Sequence, residues 1–103
     1  MRDINAAIAA YEPLLVDLAR PFVGRNGAEL DDLIQEGRID VWQALERGVT
    51  PAAVMLQNRM RDWVRHLDPQ NPAPYELLLP IEIPSSGSYD FSAVDAFIAA
   101  QDE

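Results

Sequence analysis

Cysteine is absent from this 103-residue chain and histidine occurs once, at His66. A disulfide framework, a thiolate nucleophile and a cysteine-based zinc site are therefore excluded, and a lone histidine cannot anchor a multi-histidine metal site. Lysine is missing too, so all eight basic residues are arginine. No stretch approaches the ~18 consecutive apolar residues that span a bilayer. The opening Met1-Arg2-Asp3 carries an acid where a signal peptide would be basic, with no long apolar run or small-residue cleavage site behind it. The expectation is a cytoplasmic protein with no membrane partner. Nucleophile arrangements of serine, cysteine or histidine, glycine-rich phosphate loops and metal-ligand clusters are equally absent, so the expectation is no enzyme, no cofactor and no small-molecule substrate.

What is present is a chain 49% apolar, too hydrophobic for a disordered polymer, with a formal net charge of -9. That charge is unevenly spread. Residues 1–67 hold all eight arginines against ten acids, whereas residues 68–103 hold seven acids and no base. The whole chain would be repelled by nucleic acid, so any DNA contact must be local, and a partner with a basic surface is favoured.

Apolar spacing predicts an all-α protein. Ile4, Ile8, Tyr11, Leu15, Leu18 and Phe22 alternate in steps of four and three, the stripe of a helix burying one side. Pro13 and Pro21 interrupt it, so it should restart near Glu12 and bend or end near Phe22. Gly24-Arg25-Asn26-Gly27 reads as a turn. The next helix is expected from about Glu29 to Arg47, burying Leu30, Leu33, Ile34, Val41, Ala44 and Leu45, with Gly48 as its stop. Thr50-Pro51 reads as an N-cap followed by proline at the first helical position, launching a helix to about Leu67. Its core face would be Leu56, Met60, Trp63, Val64 and Leu67. Five prolines between Pro69 and Pro84 rule out a continuous helix or central strand there. Leu77 to Ile83 suits an apolar strap, and Ser92 with Asp95 resembles a capping box for a last helix, about Ala93 to Gln101. The expected organisation is a helical domain over 1–67 and a proline-rich acidic extension over 68–103.

Asp32, Gln35 and Glu36 stand at i, i+3 and i+4 and form one polar patch opposite Leu30, Leu33 and Ile34. This spacing suits a docking site and equally an ordinary solvated helix face. The run Asp32-Leu33-Ile34-Gln35-Glu36-Gly37, followed by Arg38-Ile39-Asp40-Val41-Trp42-Gln43-Ala44-Leu45, resembles the signature of region 2 of bacterial sigma factors. Gly37 fits physically, because a mid-helix glycine costs about 1 kcal/mol relative to alanine and needs a reason such as close helix packing. Upstream, Leu14-Leu15-Val16-Asp17-Leu18-Ala19-Arg20 resembles the family's preceding helix. The likeness, which covers about residues 8 to 67, implies a small three- to four-helix bundle. It also implies that Asp32, Gln35 and Glu36 bind the arginine-bearing clamp helices of the RNA polymerase β′ subunit.

A second likeness is Asn58, Asp62 and Arg65, similar to the N-x-x-x-D-x-x-R pattern of the helix that approaches the promoter in compact, extracytoplasmic-function-type sigma factors. Asn58, Arg61, Asp62 and Arg65 share a face, with Arg59 beside them and His66 at the end. Asn58, Arg59, Arg61 and Arg65 are thus the candidate DNA contacts, to phosphate or to a base edge. The same pattern also fits an amphipathic helix whose late arginines offset its dipole, with Asp62 paired to Arg59 or Arg65.

Two departures qualify the likeness. Where the family carries aromatics that stack on promoter bases, this chain has Pro51, Ala52, Ala53, Val54 and Met55, none with a π surface. No helix-turn-helix follows of the kind that region 4 supplies. The leading expectation is a clamp-binding transcription factor that contacts promoter -10 DNA as half of a split sigma factor, with a sigma-like partner protein. Two others are a small, phage-borne type of polymerase inhibitor using the same surface, and a helical assembly module with a degenerate sigma-like fold.

Overall fold

A computed structural model describes residues 3–67 and 89–101. Those residues form an all-α bundle of five helices: α1 (Ile4–Ala10), α2 (Glu12–Ala19), α3 (Leu30–Glu46), α4 (Ala53–Leu67) and α5 (Ser92–Gln101). Two 3₁₀ turns, Arg20–Phe22 and Arg25–Gly27, join α2 to α3. The segment containing the expected Leu77 to Ile83 strap lies outside the described residues.

The prolines act where their chemistry requires. α1 opens on Asp3, whose carboxylate accepts from the Ala6 amide at 3.1 Å. It closes at Ala10, and α2 restarts at Glu12 with Pro13 in its first turn, where a missing N–H costs nothing. Pro21 ends α2 in a 3₁₀ turn that buries Phe22. In the next turn Gly24, Asn26 and Gly27 all adopt positive φ, at 87°, 51° and 81°.

α3 ends in a Schellman motif: the Gly48 amide donates to the Leu45 carbonyl at 3.0 Å and the Val49 amide to Ala44 at 2.9 Å. Gly48 has φ 74°, which a side chain would oppose. The start of α4 differs from the sequence expectation. Thr50 does not cap it and Pro51 is not its first helical residue; the helix begins at Ala53, with the Met55 and Leu56 amides donating to the Ala52 carbonyl. Pro51 is instead buried. A residue before proline is biased to extended backbone, so the connector stays open for two more residues while the proline ring packs inward.

The core is continuous. Leu15, Phe22, Leu33, Val41, Leu45, Leu56, Met60 and Val64 are sealed from solvent, with Leu18 beside them. Trp63 is half-buried against this core and Leu67 is exposed. The expected glycine contact is found at Gly37: a Cβ there would sit 2.5 Å from Leu15 Cδ2 and 3.2 Å from Met60 Cε. Alanine would not fit without movement, and its absence lets α2, α3 and α4 close on one another.

α5 belongs to the same core, contributing Val94 and Phe97. Ser92 is its first residue, not its cap. The Val94 and Asp95 amides donate to the Phe91 carbonyl, and Asp90 accepts from the Ser92 amide at 3.0 Å. Hydrogen bonds from the Ser92 amide and hydroxyl hold the Asp90 carboxyl below its ordinary pKa.

Candidate docking and nucleic-acid interface

α3 carries the first candidate face. Asp31 and Asp32 stand in its first turn, where carboxylates complement the positive end of the helix dipole. Asp32 and Gln35 are exposed. Glu36 is half-buried, because Arg59 of α4 crosses to it: Arg59 Nε donates to Glu36 Oε2 at 3.1 Å, and Nη2 lies 3.1 Å from the same oxygen. The same guanidinium reaches Asp40, one turn along α3, with Nη1 at 3.7 Å from Oδ1. Arg59 therefore bridges two carboxylates on successive turns of its neighbour.

Beyond Gln35 the stripe turns apolar. Ile39 and Trp42 follow at i+4 and i+7, and Trp42 is 47% exposed. Together with Ile8 and Arg38 they line a shallow groove of about 320 Å³ between α1 and α3. Arg38 is tied to α2 by a forked pair with Glu12, its Nε donating to Oε2 at 3.1 Å. That bond holds the Arg38 pKa above its ordinary value. Trp42 escaped the sequence reading, which treated it only as part of the signature. Its position two turns from Gln35 was the signal that could have found it.

α4 carries the second candidate face. Asn58 is exposed and accepts from Arg61 Nη1 at 3.1 Å; Arg65 pairs with Asp62 at 3.9 Å. These side chains stand along one side of the helix at i, i+3, i+4 and i+7. Arg59, one residue from Asn58 and so about 100° round the helix, is directed at α3 instead. Between the two helices Glu36, Arg59, Asp62, Trp63 and His66 line a second shallow groove of about 390 Å³. The His66 Nδ1–H donates to the Asp62 carbonyl at 2.6 Å. The Trp63 indole N–H is buried without an acceptor among the described residues. The first turn of α4 exposes Val54 and Met55, at 48% and 44%, and neither is aromatic.

The family model of sigma-70 region 2 matches residues 7–69, more than half of the chain. The chain belongs to the sigma-70 region 2 family. No curated protein and no solved structure matches it. Members of this family are non-enzymatic transcription-factor domains that work on RNA polymerase and promoter DNA. The matched span runs from α1 through α4, so both candidate faces of this sigma region 2 protein lie inside it. Among the described residues no three metal-ligating side chains gather, and no helix is long and apolar enough to cross a membrane.

Proposed function

We propose that this sigma region 2 protein docks on the β′ clamp helices of RNA polymerase through α3, and presents α4 to promoter -10 DNA as part of a split or partial sigma factor. The observation that carries the reading is the stripe of exposed Asp32, Gln35 and Trp42, with half-buried Ile39 between them, on a family-matched helix. A polar end with the Asp32 carboxylate and the Gln35 amide and an apolar end with a tryptophan together suit a docking surface. Acidic groups set partner choice and encounter rate toward a basic clamp, and buried apolar contacts supply affinity. Tryptophan is the residue type most often found as an energetic anchor at such interfaces. On α4, Asn58, Arg61 and Arg65 suit phosphate or base-edge contacts. Arg59 is turned away from that face, toward α3.

A second reading, in which the protein occupies the clamp and blocks promoter opening, draws on Val54 and Met55. Both are exposed where family members stack aromatics on bases, and neither offers a flat ring.

The test is a pull-down of core polymerase or its isolated clamp fragment, comparing the wild type with a Gln35→Ala, Glu36→Arg double variant of matched helix content. Binding is expected for the wild type and lost in the variant. No binding by folded wild type would sink the docking reading and leave the fold to serve assembly. Transcription with bound protein then separates activation from inhibition.

A further inference from the structure

We infer that Arg59 is an internal stand-in for the partner's cation, occupying the Glu36 carboxylate until a polymerase arginine displaces it. The inference rests on the docking reading above and names a residue that tunes it. Of the three residues assigned to the α3 patch, Glu36 alone is engaged by another helix among the described residues. Its Oε2 accepts the Arg59 Nε–H and lies 3.1 Å from Nη2 as well, so one carboxylate oxygen faces two nitrogens of a single guanidinium. The partner's arginine would need the same oxygen.

The local charge balance favours exchange over sharing. Glu36 and Asp40 carry two negative charges and Arg59 one positive, so the closed cluster is left with a single negative charge for an incoming cation. Without Arg59 the cluster would present two. The side chains are 21%, 18% and 35% exposed, respectively. Glu36 and Asp40 are thus shielded enough to need a cation, while Arg59 lies close enough to water to be solvated when it leaves. Water still reaches the guanidinium side of this part-buried pair and screens it, so its net contribution to stability is modest. It is a contact built to be traded. Arg59 also lies on the wall of the α3–α4 groove with Asp62, a third carboxylate to which a displaced guanidinium can turn.

The experiment is a titration of core polymerase with the full chain in four forms: wild type, Arg59→Gln, Glu36→Gln and the double variant, with helix content checked by circular dichroism. Arg59→Gln is expected to tighten binding by about threefold or more, the scale of a weak ion pair. Glu36→Gln is expected to weaken it, and the gain from Arg59→Gln should largely vanish in the Glu36→Gln background. A merely structural Arg59 predicts the opposite: the variant would bind no tighter, or more weakly, while still folded. A gain that is undiminished without the Glu36 carboxylate would also overturn the inference, since it would reflect net charge alone. If Arg59→Gln fails to fold, Arg59→Lys keeps the charge but loses the planar guanidinium that spans Glu36 and Asp40. A smaller gain is then expected, and no gain overturns the idea. Wild type that does not bind at all removes the docking reading together with this one, whereas wild-type binding with no Arg59 effect removes only this one.

Discussion

Gly37 is the residue on which the packing turns. Alanine is the better helix former by about 1 kcal/mol, so on propensity alone Gly37→Ala should stabilise α3. The fully buried Leu15 side chain stands 2.5 Å from where that methyl would go, and Met60 closes the other side. Overpacking a filled core costs roughly 1–3 kcal/mol, which outweighs the propensity gain. Gly37→Ala is therefore expected to lose about 1 kcal/mol in a urea melt, and trimming Leu15 to valine in the same chain should recover part of it. A stabilised single variant would show that Leu15 moves aside at no cost. The same scale separates the arginines. Arg38 and Arg59 are both spent on carboxylates of neighbouring helices, whereas Arg65 pairs locally within α4.

At the scale of elements, α4 is fixed at its end by a residue from another turn. Asn26 Nδ2 donates to the Val64 carbonyl at 3.1 Å, one of the last four carbonyls that a helix cannot satisfy internally. Asn26 can do so because it holds a left-handed backbone, at φ 51°, which asparagine tolerates better than most residues. Two substitutions separate these contributions. Asn26→Gly keeps the backbone and loses the hydrogen bond, at a cost of about 1 kcal/mol. Asn26→Ala loses the bond and adds the strain of a left-handed alanine, so about 2 kcal/mol is expected. Equal melting temperatures for the two variants would mean that the backbone conformation is not strained. The late start of α4 is an element-scale effect as well, set by a buried Pro51 that pattern reading had placed inside the helix.

Across the whole molecule, the C-terminal helix is held by aromatic and polar contacts from the opposite end of the chain. Tyr11 stacks obliquely on Phe91 with ring centroids 4.9 Å apart, and the Tyr89 hydroxyl donates to Asp17 Oδ2 at 2.6 Å. Burial, with Asp95 nearby, pushes the Tyr11 pKa up to about 12; desolvation and the Asp17 bond do the same for Tyr89. A raised folded-state pKa means that the fold favours the protonated phenol. The associated stability is fully present below about pH 10, the unfolded value, and is lost as pH rises toward 12. In a Tyr75→Phe background, phenolate absorbance should show Tyr11 and Tyr89 still largely neutral at about pH 11, with the bundle weakening progressively from about pH 10 toward 12. Ordinary titration of Tyr11 and Tyr89 near pH 10 would mean that the α5 docking contacts do not persist in solution. Tyr89→Phe should bring the alkaline loss of stability closer to that set by Tyr11 alone.

The apolar stripes of α2, α3 and α4, the proline break at Glu12, the Gly24–Gly27 turn and the Gly48 stop were all legible in the sequence. Each is local: helical period, proline's missing donor and glycine's positive φ act within a few residues. The family likeness was legible for the same reason, since its signature is one continuous run on one helix. The polar patch of Asp32, Gln35 and Glu36 could be placed on a face, but its state could not. Only the tertiary structure decided that Arg59 belongs to Glu36 and Asp40, that Trp42 faces outward beside Gln35, that Gly37 is pressed by Leu15, and that Val94 and Phe97 enter the common core. These depend on which helix lies beside which, and a one-dimensional pattern carries each helix's own periodicity but not the side chains that its neighbours bring to meet it.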